Sequence, residues 1–315
     1  MIDLLHDCDP GNDDAVGILA ALGHPAVNLV AVTTGAGHLA FDRTAENAAI
    51  TVAAAHPRTV PVSKGAEGPL LRERMIARIL DFESGLDADR PDLGRVDLDP
   101  LHSVDRIAAA AKAHPGLTIV TTGPFTNLAL ALRRHPHVKD AIGRIVTLGG
   151  AWGLGTKTAA AEWNILCDPE AAAIVYGSGI PITMVPVDAS ATVPIDDALV
   201  ARVAALPGPA AALAAELLAS LRTTHRPGVF APADMPLHDP CAILAAADPA
   251  IVTTVPARVD VETASGLNYG RTVVDFAGRT ERPNNCDVVI AFDVAATQDA
   301  LVGAIAALSR LQQRA

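Results

Sequence analysis

Aromatic residues are scarce in this chain, 3% of its 315 positions, so its core has to be built from aliphatic side chains. Cysteine is equally sparse. Cys8, Cys167, Cys241 and Cys286 show no C-x-x-C spacing and are too few for a disulfide scaffold, which fits a reducing compartment. Basic residues are outnumbered, 24 Lys and Arg against 35 Asp and Glu, for a formal charge of −11. That balance argues against a general nucleic-acid binder, which needs a clustered basic face. Uninterrupted apolar runs are missing too: the nearest approach to a spanning helix, Ala15 to Val32, is broken by His24, Pro25 and Asn28. Met1 to Leu5 meets acidic residues at once and lacks the basic start and apolar stretch of an export signal. A cytoplasmic protein acting on a small molecule is expected, without a nucleic-acid or membrane partner.

What the chain does have is apolar bulk. Half of it is hydrophobic and only 19% is charged, which argues against disorder and coiled coil. Ile2–His6, Val27–Thr33, Leu117–Thr121, Arg144–Leu148 and Ile182–Val187 read as buried strands. Asp13–Leu22, Asp42–Ala55, Ser103–Ala113, Thr126–Arg133 and Pro169–Tyr176 between them read as helices. Such alternation implies right-handed βαβ crossovers, hence an α/β fold with a mostly parallel, mixed central sheet, helices on both faces and an open Rossmann-like core. Gly65 to Pro100 is charged and rich in Gly, Pro and Asp, and reads as a helix with long loops. After Asp196 come two or three helices, then strands at Val255–Val261, Thr272–Phe276 and Val288–Phe292 and a closing helix to Arg310. No linker or internal repeat divides the sequence, so residues 1–315 form one expected domain.

Ligands of such sheets bind beyond the carboxyl ends of the strands. The residues there are His6 to Asp14, Thr33-Thr34-Gly35, Thr122-Gly123-Pro124, Gly149-Gly150 and Asp188. Strand alternation puts Asp7 and Asp9 on one face. Pro10-Gly11 then turns the chain, and Asp13 and Asp14 fall in the first turn of a helix. Two unit charges ~5 Å apart repel by roughly 3 kcal/mol at an effective dielectric of 20. No Lys or Arg precedes Arg43, so a bound cation is the direct counter-charge. Carboxylate ligands suit Ca²⁺ or Mg²⁺ rather than zinc. A purely structural account has Asn12 capping the helix while Asp13 and Asp14 complement its dipole, which leaves Asp7 and Asp9 without a reason. An Mg²⁺-dependent phosphatase forming an aspartyl-phosphate on the first Asp of D-x-D is a weaker alternative, because the expected Thr and Lys are missing.

The motif Asp7-x-Asp9-Pro10-Gly11-x-Asp13-Asp14 resembles the N-terminal signature of the inosine–uridine-preferring nucleoside hydrolases. The resemblance continues in Val32-Thr33-Thr34-x-x-Gly37, Gly123-Pro124-Phe125-Thr126-Asn127, Leu148-Gly149-Gly150-Ala151 and Ala161-Glu162-Trp163-Asn164-x-x-x-Asp168-Pro169-Glu170-Ala171. Leu237-His238-Asp239-Pro240, Val261-Glu262 and Gly270-Arg271-Thr272-Val273-Val274-Asp275 complete it. It implies hydrolysis of the N-glycosidic bond of purine or pyrimidine ribonucleosides, with no organic cofactor. It implies a Ca²⁺ ion held by Asp9, Asp14, the main-chain carbonyl of Thr126 and Asp239. It places Asp13, Glu162, Asn164 and Asp239 against the sugar and His238 near the leaving base. Asp9, or else Asp13, would take the proton of the attacking water, and a homodimer or homotetramer would be the assembly.

Each assignment has a structural counterpart. Asp239-Pro240 and Asp168-Pro169 both read as helix starts, and for Asp168 that reading is adopted. Gly123 to Asn127 could be a plain strand-to-helix turn, His238 a structural histidine, and Glu162 and Asn164 loop polar groups. Three pocket positions depart from the family pattern. His38 and Thr156 stand where asparagine is usual, Leu148 where methionine is common, and the loop Asp87–Gly94 lacks the usual His-Gly start. The sugar pocket is therefore expected to be altered. A Ca²⁺-dependent riboside binder with little hydrolysis, or a hydrolase of a modified riboside, is the corresponding alternative.

Overall fold

A computed structural model describes residues 1–37, 39, 41–75, 86, 90, 92–224 and 234–314. Among them the chain runs β1 (Ile2–Cys8), α1 (Asn12–Gly23), β2 (Val27–Thr34), α2 (Phe41–Ala54), β3 (Val62–Lys64), α3 (Ser103–Ala113), β4 (Leu117–Thr121) and α4 (Thr126–Arg134). It continues with β5 (Ile142–Leu148), α5 (Trp163–Cys167), α6 (Pro169–Tyr176), β6 (Ile182–Val185), α7 (Val187–Ser190), α8 (Asp197–Ala204) and α9 (Pro209–Thr224). It closes with α10 (His238–Ala247), β7 (Val252–Val261), β8 (Thr272–Asp275), β9 (Cys286–Phe292) and α11 (Val294–Gln312).

The strands form one nine-stranded sheet in the order β3-β2-β1-β4-β5-β6-β9-β7-β8. Every pairing from β3 to β9 is parallel; β7 joins β9 and β8 antiparallel. The order reverses between β1 and β4, and at such a switch point the loops leaving the two strands diverge and open a crevice. Alternation along the strands builds a core on each face. Leu4, Val120, Val146 and Leu148 pack with α1, α2 and α8 to α11, while Leu5, Ile119 and Ile145 pack with α3, α4 and α6. Helix α1 is buried from Asp14 to Gly23, which explains a segment apolar on all sides.

The expected fold class is observed, and the long elements lie within a few residues of their expected limits. The apolar run from Ala15 to Val32 is α1 followed by β2. Among the described residues one helix, α11, is long and apolar enough to cross a membrane by length and composition alone; it packs on α1 and α9. Strand β3 and helix α5, of three and five residues, are too short to carry a period and were not expected. Part of the stretch from Gly65 to Pro100 expected to hold a helix, 76–85, 87–89 and 91, lies outside the described residues. What is described there is irregular, tied to β3 by a bridge from Ser63 to Asp99.

Candidate active site

The carboxylates converge where β1 and β4 part. Asp9 follows β1, and the backbones leaving β2 and β4 close on it from two sides. A Cβ at Gly37 would stand 1.7 Å from Asp9 Oδ2, and one at Gly123 would stand 2.7 Å from Asp9 Oδ1, so only glycine leaves room for this carboxylate. Helix α1 starts from Gly11, not from Asn12 as the capping account expects, and the Gly11 N–H donates to Asp14 Oδ2 at 3.4 Å. Asp239 is the second residue of α10; it is not the cap, because the helix already begins at His238. One carboxylate oxygen each from Asp13, Asp14 and Asp239 lies within 4.8 Å of the others. Asp14 and Asp239 are buried and Asp13 half-buried. Burial and the charges of Asp13, Asp14 and Asp9 push the Asp239 carboxyl well above the usual carboxylate range. These oxygens form a group able to hold a metal ion. His6 and Cys8 offer softer atoms beside Asp14, but each is buried with a partner of its own, Thr122 Oγ1 and the Thr33 carbonyl.

Around this group the sugar-facing candidates are held by backbone. Glu162 caps α5: Oε1 accepts from Asn164 N at 2.8 Å, and Oε2 from Gly150 N at 2.8 Å and Ile165 N at 3.2 Å. Burial raises its carboxyl pKa against those hydrogen bonds. Asn164 spends both amide hydrogens on the carbonyls of Thr122 and Leu148, at 2.7 and 3.2 Å, which directs Oδ1 away from them. Leu148 is buried at the end of β5. Thr126 opens α4, and its hydroxyl donates to Asp168 Oδ2 at 2.7 Å. Asp168 does cap α6, accepting from Ala171 N, but it also accepts from Leu70 N, so it ties three loops together. His238 Nδ1 lies 2.7 Å from Ser190 Oγ. Thr156 is exposed, and its hydroxyl accepts from Trp163 N at 3.3 Å. His38 lies outside the described residues, as does Asp87.

Asp7, whose carboxyl feels the Asp9 charge, is spent on partners of its own. It faces α4, where Oδ1 accepts from Thr33 Oγ1 at 2.7 Å and Asn127 Nδ2 at 2.9 Å, and burial raises its pKa to about 7. The strand ends at Cys8, so its twofold pattern does not extend to Asp9. An aspartyl-phosphate mechanism would need Asp7 in the crevice, and that reading falls. Sequence reasoning assigned no role to His6, Thr122, Asn127 or Ser190. The visible signals were a histidine inside an apolar strand, the strand-end place of Thr122 and the motif that holds Asn127. Asp188, noted for its place after a strand, accepts from Trp152 N and Gly153 N at 2.9 and 3.1 Å and anchors the loop after β5.

The family model for inosine-uridine preferring nucleoside hydrolase matches residues 4–299. The chain belongs to this family. It is 41% identical over 306 residues, 96% of each chain, to the pyrimidine-specific ribonucleoside hydrolase RihA of Shewanella sp. (strain MR-7). It is 40% identical over 296 residues to the protein of that name from Shigella boydii serotype 4, covering 92% of this chain and 94% of that one. Among solved structures, the purine-preferring ribonucleoside hydrolase from Gardnerella vaginalis superposes with a TM-score of 0.86 at 28% identity, covering 98% and 99% of the two chains. A plant nucleoside hydrolase, PpNRh1, does so with 0.87 at 26% identity, covering 97% and 99%. This nucleoside hydrolase is therefore an enzyme that cleaves the N-glycosidic bond of ribonucleosides, and the crevice between β1 and β4 is its candidate site.

Proposed function

We propose that this nucleoside hydrolase acts on pyrimidine ribonucleosides and uses Ca²⁺, held by Asp9, Asp14, the main-chain carbonyl of Thr126 and Asp239. The observation that carries the reading is that oxygens of Asp14 and Asp239, two of these ligands and both buried, lie within 4.8 Å of each other and of the half-buried Asp13, while the Asp9 charge acts on Asp239. Hard oxygen donors at that spacing suit a cation with ligand distances of about 2.3–2.6 Å. The pyrimidine assignment is supported by the 41% identity to relatives named for that specificity, against 28% to the purine-preferring structure. The whole chain, 1–315, serves as one catalytic domain, and the family resemblance supports a cytoplasmic homodimer or homotetramer.

Held by Asp9, Asp14, the Thr126 carbonyl and Asp239, a bound cation would supply Lewis acidity toward a water and toward the ribose hydroxyls. Asp9, confined between Gly37 and Gly123, accepts the water's proton, with Asp13 as the neighbouring carboxylate that can share it. As the base departs with its bonding electrons, positive charge grows on the sugar, and the fixed carboxylates stabilise it without reorganising. Asp13, Glu162 and the Oδ1 of Asn164 hold the sugar hydroxyls. His238, with Ser190 at Nδ1, delivers a proton to the leaving base through Nε2.

Hydrolysis of uridine, cytidine, inosine and adenosine, with and without chelator, tests the reading. Uridine and cytidine should be cleaved fastest, with activity lost on chelation and restored by Ca²⁺. Undiminished activity in metal-free protein would remove the metal assignment, and faster turnover of inosine would remove the pyrimidine preference.

A further inference from the structure

His6 lies within β1, fully buried, and its Cε1 stands 3.5 Å from the place a Cβ on Gly17 of α1 would take. Its Nε2 is 2.8 Å from Thr122 Oγ1, and Thr122 Oγ1 donates to Asp14 Oδ1 at 2.5 Å. A hydroxyl has one proton. With that proton committed to Asp14, Thr122 can only accept from His6, so Nε2 carries the imidazole hydrogen and Nδ1 is bare. Nδ1 is buried without a partner. Leaving such an atom unpaired costs about 1–3 kcal/mol, a cost an aliphatic residue here would avoid.

We propose that His6 and Thr122 are positioning residues that hold the Asp14 carboxylate in one orientation within the metal-binding group. The relay rests on the reading of Asp14 as a metal ligand. Thr122 suits the task because its backbone is fixed twice, its N–H donating to the Asp7 carbonyl at 2.9 Å and its carbonyl accepting from Asn164 Nδ2 at 2.7 Å. One residue thus links the metal-side carboxylate to the sugar-side amide. Groups of this kind behind a ligand typically contribute 10–100-fold to metal affinity.

The test is calorimetric titration of Ca²⁺ into metal-free wild type, His6→Leu, His6→Gln, Thr122→Val and Thr122→Ser, with melting temperatures measured in chelator. His6→Leu and Thr122→Val should weaken Ca²⁺ binding by about 10-fold or more. His6→Gln and Thr122→Ser, which keep a donor and a hydroxyl, should stay close to wild type. His6→Leu should melt no lower than wild type in chelator, because it removes the unpaired Nδ1. Wild-type Ca²⁺ affinity in both His6→Leu and Thr122→Val overturns the relay while leaving the metal reading intact. Equal losses in His6→Gln and His6→Leu, with lowered melting in both, would reduce His6 to a packing residue. Absence of Ca²⁺ binding in wild type would overturn the metal reading and the relay together.

Discussion

Replacing Asp239 by asparagine separates what this carboxylate does for the metal from what it costs the fold. Its oxygen sits within 4.8 Å of oxygens of Asp13 and Asp14. At an effective dielectric of 20, two unit charges at that distance repel by roughly 3 kcal/mol. The upward displacement of the Asp239 carboxyl means that part of this repulsion is already relieved by proton uptake in metal-free protein. A net gain of about 1–3 kcal/mol therefore remains for a neutral amide, which is nearly isosteric and can donate to Asp13. Unfolding entropy of about 2 cal/mol/K per residue over this length converts that gain to a rise of about 2–5 °C in melting temperature. In Ca²⁺ the order should invert, because wild type gains binding energy that the variant lacks. Hydrolysis should fall to the assay floor. The measurement is a pair of thermal melts, in chelator and in excess Ca²⁺, alongside uridine turnover. A variant that melts below wild type in chelator and tracks it in Ca²⁺ would refute the picture of a repulsive carboxylate cluster awaiting a cation.

Other expectations can be checked on the same preparations. His238→Ala should cut turnover of uridine by about 10²–10⁴-fold while harming a nitrophenyl riboside far less, since that leaving group needs no proton; equal loss on both would give His238 another task. Asp168→Ala removes the cap of α6 and the acceptor for Thr126 and Leu70, so it should cost about 1–3 kcal/mol in denaturant melts, and a stability change under 0.5 kcal/mol would contradict the tie between the three loops. With Thr156 engaged by Trp163 N at the surface, discrimination at the ribose 5′-hydroxyl should be weak and that at the 2′-hydroxyl strong. Comparing 5′-deoxyuridine with 2′-deoxyuridine decides it: matching losses of kcat/KM would show that other groups have replaced the missing contact.

The sequence by itself was enough for the alternation of strands and helices, because burial on two faces imposes periods of two and 3.6 on any run long enough to show them. It was enough also to mark the acidic turn after β1, where Asp9, Asp13 and Asp14 follow one another with no basic residue before Arg43. The meeting of Asp13 and Asp14 with Asp239 was accessible only through motif resemblance, because more than 200 positions separate them and local pattern carries no such distance. Tertiary structure alone decided which way each side chain is spent. Asp7, inside β1, turns to Asn127 on α4. Asp168 fastens Thr126 as well as capping its own helix. His6 reaches Thr122, 116 residues away, and His238 reaches Ser190, 48 away, through the register of parallel strands and the seating of α7 and α10. Those partnerships come from packing between elements, and a buried hydrogen-bonding atom takes whatever donor or acceptor that packing brings within 3 Å.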